Sequence, residues 1–335
     1  MVLVTGGTGL VGTHLLLRLL QDDVAVKAIH RKGSDLKRVE RVFSYYVENG
    51  SDFFSRIEWV KADLNDIPAL EIAFENIDQV YHTAALISFD PGDYKKLQKI
   101  NANGTANIVN LCIAKKIKKI CYVSTIGTIG KNSDGTIATE ENQWVDKETN
   151  VYALSKYDAE MEVWRGTQEG LAAVIVNPGV IIGPGFWHSG SGTLFTTANK
   201  GYSYYPPGGT GFITVGDVVR MMIDLMRSPI ENERFIAVAK NLKFQEILAL
   251  ITTYLGKPEP KKKLKYWQLE IGRYFDWFIN IFTNKGRRIT KNTIQSLKHR
   301  DTYGNEKIKK ALNFKFEPLE NAVRFSCEKF IKENP

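Results

Sequence analysis

Cysteine and histidine are scarce in this chain, with three cysteines and five histidines among 335 residues. Cys112, Cys121 and Cys327 are odd in number and not spaced as a disulfide framework, which fits a reducing, cytoplasmic setting. The histidines show no ligand pairing, so no metal site is expected. No uninterrupted apolar run reaches membrane-spanning length. Nothing at the start resembles a signal peptide, because strand-like Val2-Leu3-Val4 enters a glycine-rich loop at once. Internal repeats and long disordered tracts are also lacking. With 43% hydrophobic and 24% charged residues, the composition is that of an ordinary globular protein, long enough for one large or two moderate domains.

The net charge of +8 is unevenly placed. Residues 257–335 hold 19 Lys and Arg against 9 Asp and Glu, so this tail carries about +10 and the rest about −2. Such a tail suits an acidic or phosphorylated ligand, an anionic membrane surface, or solubility alone.

Short β-rich runs at 2–4, 24–29, 57–60, 79–82, 120–123 and 173–176 alternate with helical patterning at 9–20, 66–74, 93–114 and 150–168. Strict alternation implies right-handed crossovers and an α/β fold with a doubly wound parallel sheet. The strands lack clean period-two patterning, as expected when helices cover both faces. Past Val176 the pattern breaks into a Gly/Ser/Pro-rich stretch to Gly211, suited to a substrate cover. A strand–helix unit at 211–227 and a strand at 234–238 are expected to return to the sheet, with helices from Phe244 onward. Residues 1–177 with 211–240 then form a Rossmann-type nucleotide-binding domain. Residues 178–210 with 241–335 form a smaller, mostly helical substrate domain.

The loop Thr5-Gly-Gly-Thr-Gly-Leu-Val-Gly12 follows the first strand and opens a helix. Without side chains at Gly6, Gly9 and Gly12, backbone amides can approach a pyrophosphate at the positive end of the helix. Thr8, Leu10 and Val11 share that turn. The adenosine ribose should meet the end of the second strand, where an NAD-preferring protein commonly places an acid. Here the tip reads Ala28-Ile-His-Arg-Lys32, without one. Arg31, helped by Lys32 or Ser34, can instead hold a 2′-phosphate, which favours NADP(H) over NAD(H). The alternative is a pair of solvated surface charges.

Tyr152-Ala-Leu-Ser-Lys156 places a phenol and an ammonium on one helical face, four residues apart. The ammonium can lower the phenol's pKa and let it exchange a proton near neutral pH.

With the loop, Asp63-Leu64, Tyr81-His-Thr-Ala-Ala85, Asn101 and Tyr152/Lys156 in this order, the chain resembles the extended short-chain dehydrogenase/reductases, the NAD(P)-dependent epimerase/dehydratase family, from Met1 to the last helix. The resemblance implies that Asp63 and Leu64 contact adenine, that Ala84 and Ala85 run past the pyrophosphate and ribose, and that Asn101 ties neighbouring strands and supports the site. It also implies that the loop around Pro178, Gly179 and Val180 holds the nicotinamide amide. In Tyr122-Val-Ser-Thr-Ile-Gly127 it puts Thr125 in the catalytic place and Ser124 beside the nicotinamide. Thr125 would then hydrogen-bond the substrate oxygen, Tyr152 would pass the proton, and Lys156 would stabilise the phenolate and hold the ribose.

Many sugar-nucleotide members carry a substrate-binding Asn where this chain has Val180, and dehydratases usually carry an acidic pair where it has Ile126 and Gly127. The pattern looks more like the branch containing dihydroflavonol reductase, aldehyde reductases and 3β-hydroxysteroid dehydrogenases. The expected activity is NADP(H)-dependent interconversion of a small-molecule carbonyl and an alcohol. An NAD-dependent nucleotide-sugar epimerase or dehydratase, and a dinucleotide-binding sensor without chemistry, are the alternatives. A homodimer through paired helices fits the family.

Trp267, Ile271, Tyr274, Phe275, Phe278 and Phe282 fall near helical spacing between Lys261-Lys-Lys263 and Arg287-Arg288. Such a stripe is either a domain core or pocket wall or a helix lying on a membrane surface. Trp187, Phe195, Tyr202, Tyr204 and Tyr205 either face an apolar or ring-bearing substrate or pack on their own domain. No nucleic-acid reading module is present.

Overall fold

The computed structural model describes residues 1–130, 136–145, 149–283 and 290–334, without the side chains of 275, 277–283, 292, 293, 295 and 296. The chain runs β1 (Val2–Thr5), α1 (Leu10–Gln21), β2 (Val26–His30), α2 (Leu36–Phe43), α3 (Gly50–Ser55), β3 (Glu58–Lys61), α4 (Ile67–Ala73), β4 (Gln79–His82), α5 (Tyr94–Leu97), α6 (Gly104–Ala114), β5 (Lys119–Val123), α7 (Val151–Gln168) and β6 (Ala173–Pro178). Then come β7 (Val180–Ile182), α8 (Thr193–Asn199), β8 (Tyr204–Tyr205), β9 (Gly209–Thr214), α9 (Val215–Arg227), β10 (Glu233–Ala237), β11 (Lys240–Lys243) and α10 (Phe244–Tyr254). The rest forms β12 (Lys262–Lys263), α11 (Tyr266–Thr283), α12 (Lys291–Lys298), α13 (Glu306–Leu312) and α14 (Leu319–Glu333).

Seven strands form one parallel sheet in the order β10-β6-β5-β4-β1-β2-β3. Alternate side chains of each strand enter different cores. Val2 and Val4 pack with Leu15, Leu19 and Met222 from α1 and α9, whereas Leu3 packs with Leu70, Ile108 and Val163 from α4, α6 and α7. Because both faces are buried, β1, β5 and β6 are buried at every position, which explains their continuous apolar runs. Strand order reverses between β1 and β4, so the crevice above their carboxyl ends is the expected ligand position for this topology.

Local signals start the helices that frame that crevice. The Asn150 side chain accepts from the Ala153 amide at 2.9 Å and caps α7, and Thr214 accepts from the Asp217 amide at 2.9 Å to cap α9. The helix expected across 93–114 is interrupted: α5 and α6 flank a π-helical stretch, Gln98–Asn103, which turns Asn101 inward. The strand expected at Gly211 also differs. Instead of returning to the large sheet, β9 lies between β7 and β11 in a separate three-stranded sheet; only β10 returns, beside β6. A third apolar cluster packs α8, α10 and α14 around Trp187, Phe195, Ile251 and Phe330. Trp187 and Phe195, weighed as substrate contacts, are thus core residues, with ring centroids 5.4 Å apart.

Candidate active site

The glycine loop is shaped by contacts that leave no room for side chains. Gly6 has φ +72°, and a Cβ there would lie 2.6 Å from the Ala84 amide nitrogen. At Gly12 a Cβ would lie 2.2 Å from the Gly6 carbonyl oxygen, so only glycine lets α1 start directly over β1. Thr13 braces the turn by donating to the Gly7 carbonyl at 3.0 Å. Gly9 is exposed at the amino end of α1, where unpaired amides suit an anion. Across the crevice, Thr83 donates to the Thr5 carbonyl at 2.7 Å, which pins the Ala84–Ala85 segment beside the loop. The cradle therefore fits a dinucleotide pyrophosphate.

At the tips of β2 and β3 lies an open cavity of about 560 Å³, lined by Arg31, Lys32, Ser34, Lys61, Asp63 and Asp66, among others. Arg31, Lys32 and Asp63 were expected there; Lys61 was not. Ser34 accepts from the Arg31 amide at 3.1 Å and holds the tip of β2 in a turn. Asp63 accepts from the Asn65 amide at 3.0 Å, and the Leu64 carbonyl accepts from Asn107 at 2.8 Å.

Thr125 stands at the carboxyl end of β5, half-buried. Its Oγ accepts from the Gly127 amide at 3.2 Å and caps a short 3-10 turn, Ile126–Thr128. That bond uses a lone pair and leaves the Thr125 O–H available as a donor. The turn sits against α7, since a Cβ on Gly127 would lie 3.1 Å from that of Ala153. Tyr152 and Lys156 project from the first turns of α7. Tyr152 is half-buried and meets Phe89 edge-on, with centroids 5.7 Å apart. Lys156 is almost completely buried; its Nζ donates to the Val123 carbonyl at 2.8 Å and lies 4.2 Å from the Tyr122 ring centroid.

The electrostatics differ from the expectation of a phenol made acidic by its neighbour. Burial pushes Tyr152 up to about 12 and Lys156 down to about 7. Desolvation opposes the charged form of each group, and the lysine is turned onto β5. The Glu160 carboxylate opposes the downward shift of Lys156.

Glu160 was not anticipated. It lies one turn beyond Lys156, fully buried, and its Oε2 accepts from Ser124 at 2.6 Å, Thr128 at 2.8 Å and Asn177 at 3.0 Å. Arg234 from β10 approaches Oε1 at 3.4 Å. Ser124, expected to touch the cofactor, is instead buried with its hydroxyl committed to this carboxylate. Asn101 likewise ties a loop to a helix rather than two strands: it exchanges hydrogen bonds with the Leu86 backbone at 2.7 and 3.0 Å and donates to Ser155 of α7 at 2.9 Å. His82 is another unforeseen support. It bridges Thr5 at 2.6 Å and Thr105 at 2.9 Å, and burial holds it near 3, hence neutral. The i, i+4, i+8 spacing of Tyr152, Lys156 and Glu160 was the available signal for Glu160; nothing local marked His82. Pro178, Gly179 and Val180 connect the two sheets. Gly179 donates to the Ala237 carbonyl at 3.0 Å, and a Cβ on it would lie 2.4 Å from the Gly211 carbonyl oxygen.

A sequence profile of the NAD dependent epimerase/dehydratase family matches residues 2–238. The chain belongs to this family. It is 31% identical over 273 residues to a putative dihydroflavonol 4-reductase of Synechocystis sp., covering 79% of this chain and 75% of that protein. It is 28% identical over 263 residues to sterol demethylase protein B of Methylococcus capsulatus, covering 77% and 76%. Among solved structures it resembles that of gox2253, with a TM-score of 0.81, 25% identity and coverage of 99% and 98%. UDP-glucose 4-epimerase of Thermotoga maritima, at 20% identity and a TM-score of 0.76 over 100% and 99% of the chains, shares the fold. As a member of the epimerase/dehydratase family, the protein is an NAD(P)-dependent enzyme acting on a small molecule.

Proposed function

We propose that this family member is an NADP(H)-dependent oxidoreductase that interconverts a carbonyl and a secondary alcohol. One observation carries the reading: Thr125, with its O–H free to donate, stands beside the helix turns that bear Tyr152 and Lys156. A dinucleotide on the glycine cradle would be held by Gly6, Thr8, Gly9, Leu10, Val11 and Gly12 at its pyrophosphate. Ala84 and Ala85 would flank it, Asp63 and Leu64 would meet adenine, and Pro178, Gly179 and Val180 would meet the nicotinamide amide. Bound there, it supplies or accepts the hydride.

The protein's own groups handle the oxygen and its proton. Thr125 donates to the substrate oxygen and orients it. Tyr152, neutral up to about pH 12 in the protein alone, carries the proton this oxygen receives. Lys156, poised near 7, stabilises the phenolate formed when that proton leaves. Phe89, itself partly exposed, stands edge-on against Tyr152 and offers an apolar face suited to an uncharged substrate.

Three cations, Arg31, Lys32 and Lys61, at the β2–β3 cavity support a 2′-phosphate and hence NADP(H). Val180, in place of the sugar-nucleotide asparagine, and the reductases among the relatives support net reduction over epimerisation. The division into a cofactor part, residues 1–177 with 211–240, and a substrate part, 178–210 with 241–335, is supported by the third apolar cluster for α8, α10 and α14, whereas Ile308 and Phe314 of the second part join the first cluster. Strand β9 is the seam, sending Phe212 into that cluster and Ile213 into the first. A panel of aliphatic and aromatic carbonyls tests the activity. Stoichiometric loss of NADPH absorbance is expected; isomerisation of a nucleotide sugar without net cofactor change would replace this reading by an epimerase.

A further inference from the structure

The aromatic stripe of α11 is neither a core nor a pocket wall in its first half. Trp267, Ile271 and Tyr274 are 58%, 46% and 60% exposed on one helical face, while Leu269 on the opposite face is buried. Phe275, Phe278 and Phe282 have side chains outside the described residues, as Arg287 and Arg288 are altogether. Just before α11, the connection is basic: Lys261, Lys262, Lys263 and Lys265 are all exposed. Its β12 pairs with β8, Lys262 lies 5.8 Å from the Tyr204 ring centroid, and Lys298 of α12 lies 4.7 Å from that of Tyr266. Exposed Tyr202 and Tyr204 extend the same surface. The acids nearby do not balance it: Glu270 is paired with Arg273 at 2.8 Å, and half-buried Asp276 and exposed Glu259 stand against the four lysines.

We propose that this surface docks the protein on an anionic lipid bilayer. Tryptophan and tyrosine place an apolar body and a polar tip at the headgroup boundary, and Ile271 adds aliphatic depth. Lysines beside such a face add electrostatic attraction to acidic headgroups. A second copy docking by the same face would oppose lysine to lysine. A soluble polyanion would use the lysines but gain nothing from a row of exposed apolar side chains. No helix among the described residues is long and apolar enough to cross a membrane, so the attachment is peripheral. The proposal does not depend on the reaction assigned above.

The test is co-sedimentation of the full chain with vesicles of phosphatidylcholine, alone or mixed with phosphatidylglycerol. Binding is expected to the mixed vesicles at low salt, weakened by high salt, and not to the neutral ones. Replacing Lys261, Lys262 and Lys263 by Gln should lower partitioning by about a hundredfold. The triple variant Trp267→Ser/Ile271→Ser/Tyr274→Ser should lower it by a similar factor with an unchanged melting curve. Should a variant fail to fold, amide hydrogen exchange on the natural chain provides the reading, with protection on vesicle addition expected across residues 261–274. Equal binding to neutral vesicles, no binding to either kind, heparin binding that survives the apolar triple change without vesicle binding, or a concentration-dependent dimer dissolved by that change would each overturn the proposal.

Discussion

Glu160 Oε2 accepts from Ser124 Oγ at 2.6 Å, joining the third turn of α7 to the end of β5 inside the protein. With Thr128, Asn177 and Arg234 on the same carboxylate, this bond sets where Thr125, next in the chain to Ser124, stands relative to Tyr152 and Lys156. Glu160 is wholly occupied by these protein partners, so under the proposed function it is a positioning residue for Thr125, Tyr152 and Lys156.

Glu160→Gln removes the buried charge opposite half-buried Arg234, which keeps its hydrogen bonds to the Glu140 and Asn142 carbonyls, and is expected to cost about 1–3 kcal/mol of stability. Urea unfolding would measure this. In the fraction still folded, kcat should fall while the NADPH dissociation constant stays within about threefold, since the glycine cradle is elsewhere. An unchanged kcat would show that the carboxylate supports the fold alone.

Tyr152→Phe keeps the ring contact with Phe89 and removes the hydroxyl proposed to carry the proton. Turnover should fall by about 10²–10⁴-fold, with cofactor binding intact by fluorescence titration. Activity close to that of the natural chain would remove Tyr152 from the mechanism.

Lys156 gives a pH signature with a definite sign. Burial lowers it from 10.5 to about 7, so between these values the unfolded chain holds a proton that the folded chain has released. Stability should therefore rise with pH through that window, and below about pH 7 the folded protein bears the full cost of a buried ammonium. Lys156→Met should be relatively more stable than the natural chain near pH 6, with the advantage shrinking toward pH 10. Melting temperatures of both proteins across that range check the slope; parallel curves would contradict it.

Arg31→Asp should weaken NADPH binding by about 10–100-fold relative to NADH, the worth of one or two hydrogen bonds to a charged phosphate. Lys61→Ala should move the ratio in the same direction and by less. An unmoved NADPH/NADH ratio for both variants would make these residues ordinary surface charges.

The repeating strands and helices were legible because burial on both faces of a parallel sheet leaves uninterrupted apolar runs between cappable helices. The observed β4 has the expected bounds, and α7 begins one residue after its expected start, at the Asn150 cap. The break in the 93–114 helix was not legible. Its π-helical stretch satisfies Asn101 through Leu86 and Ser155, partners distant in the chain. The expectation that β9 returns to the large sheet failed, because a strand's propensity does not name its neighbour.

Chain order and residue type alone determined the alternating fold and the glycine cradle and put Tyr152 and Lys156 forward as a candidate pair, whereas Thr125 was put forward by the family resemblance. These depend on local spacing, on backbone room, and on which side chains carry exchangeable protons. Tertiary structure alone decided that Lys156 turns to the Val123 carbonyl, that Ser124 serves Glu160, and that Trp187 is core while Trp267 is exposed. Desolvation and hydrogen-bond partnership belong to the packed arrangement of distant segments, and no short stretch of chain encodes them by itself.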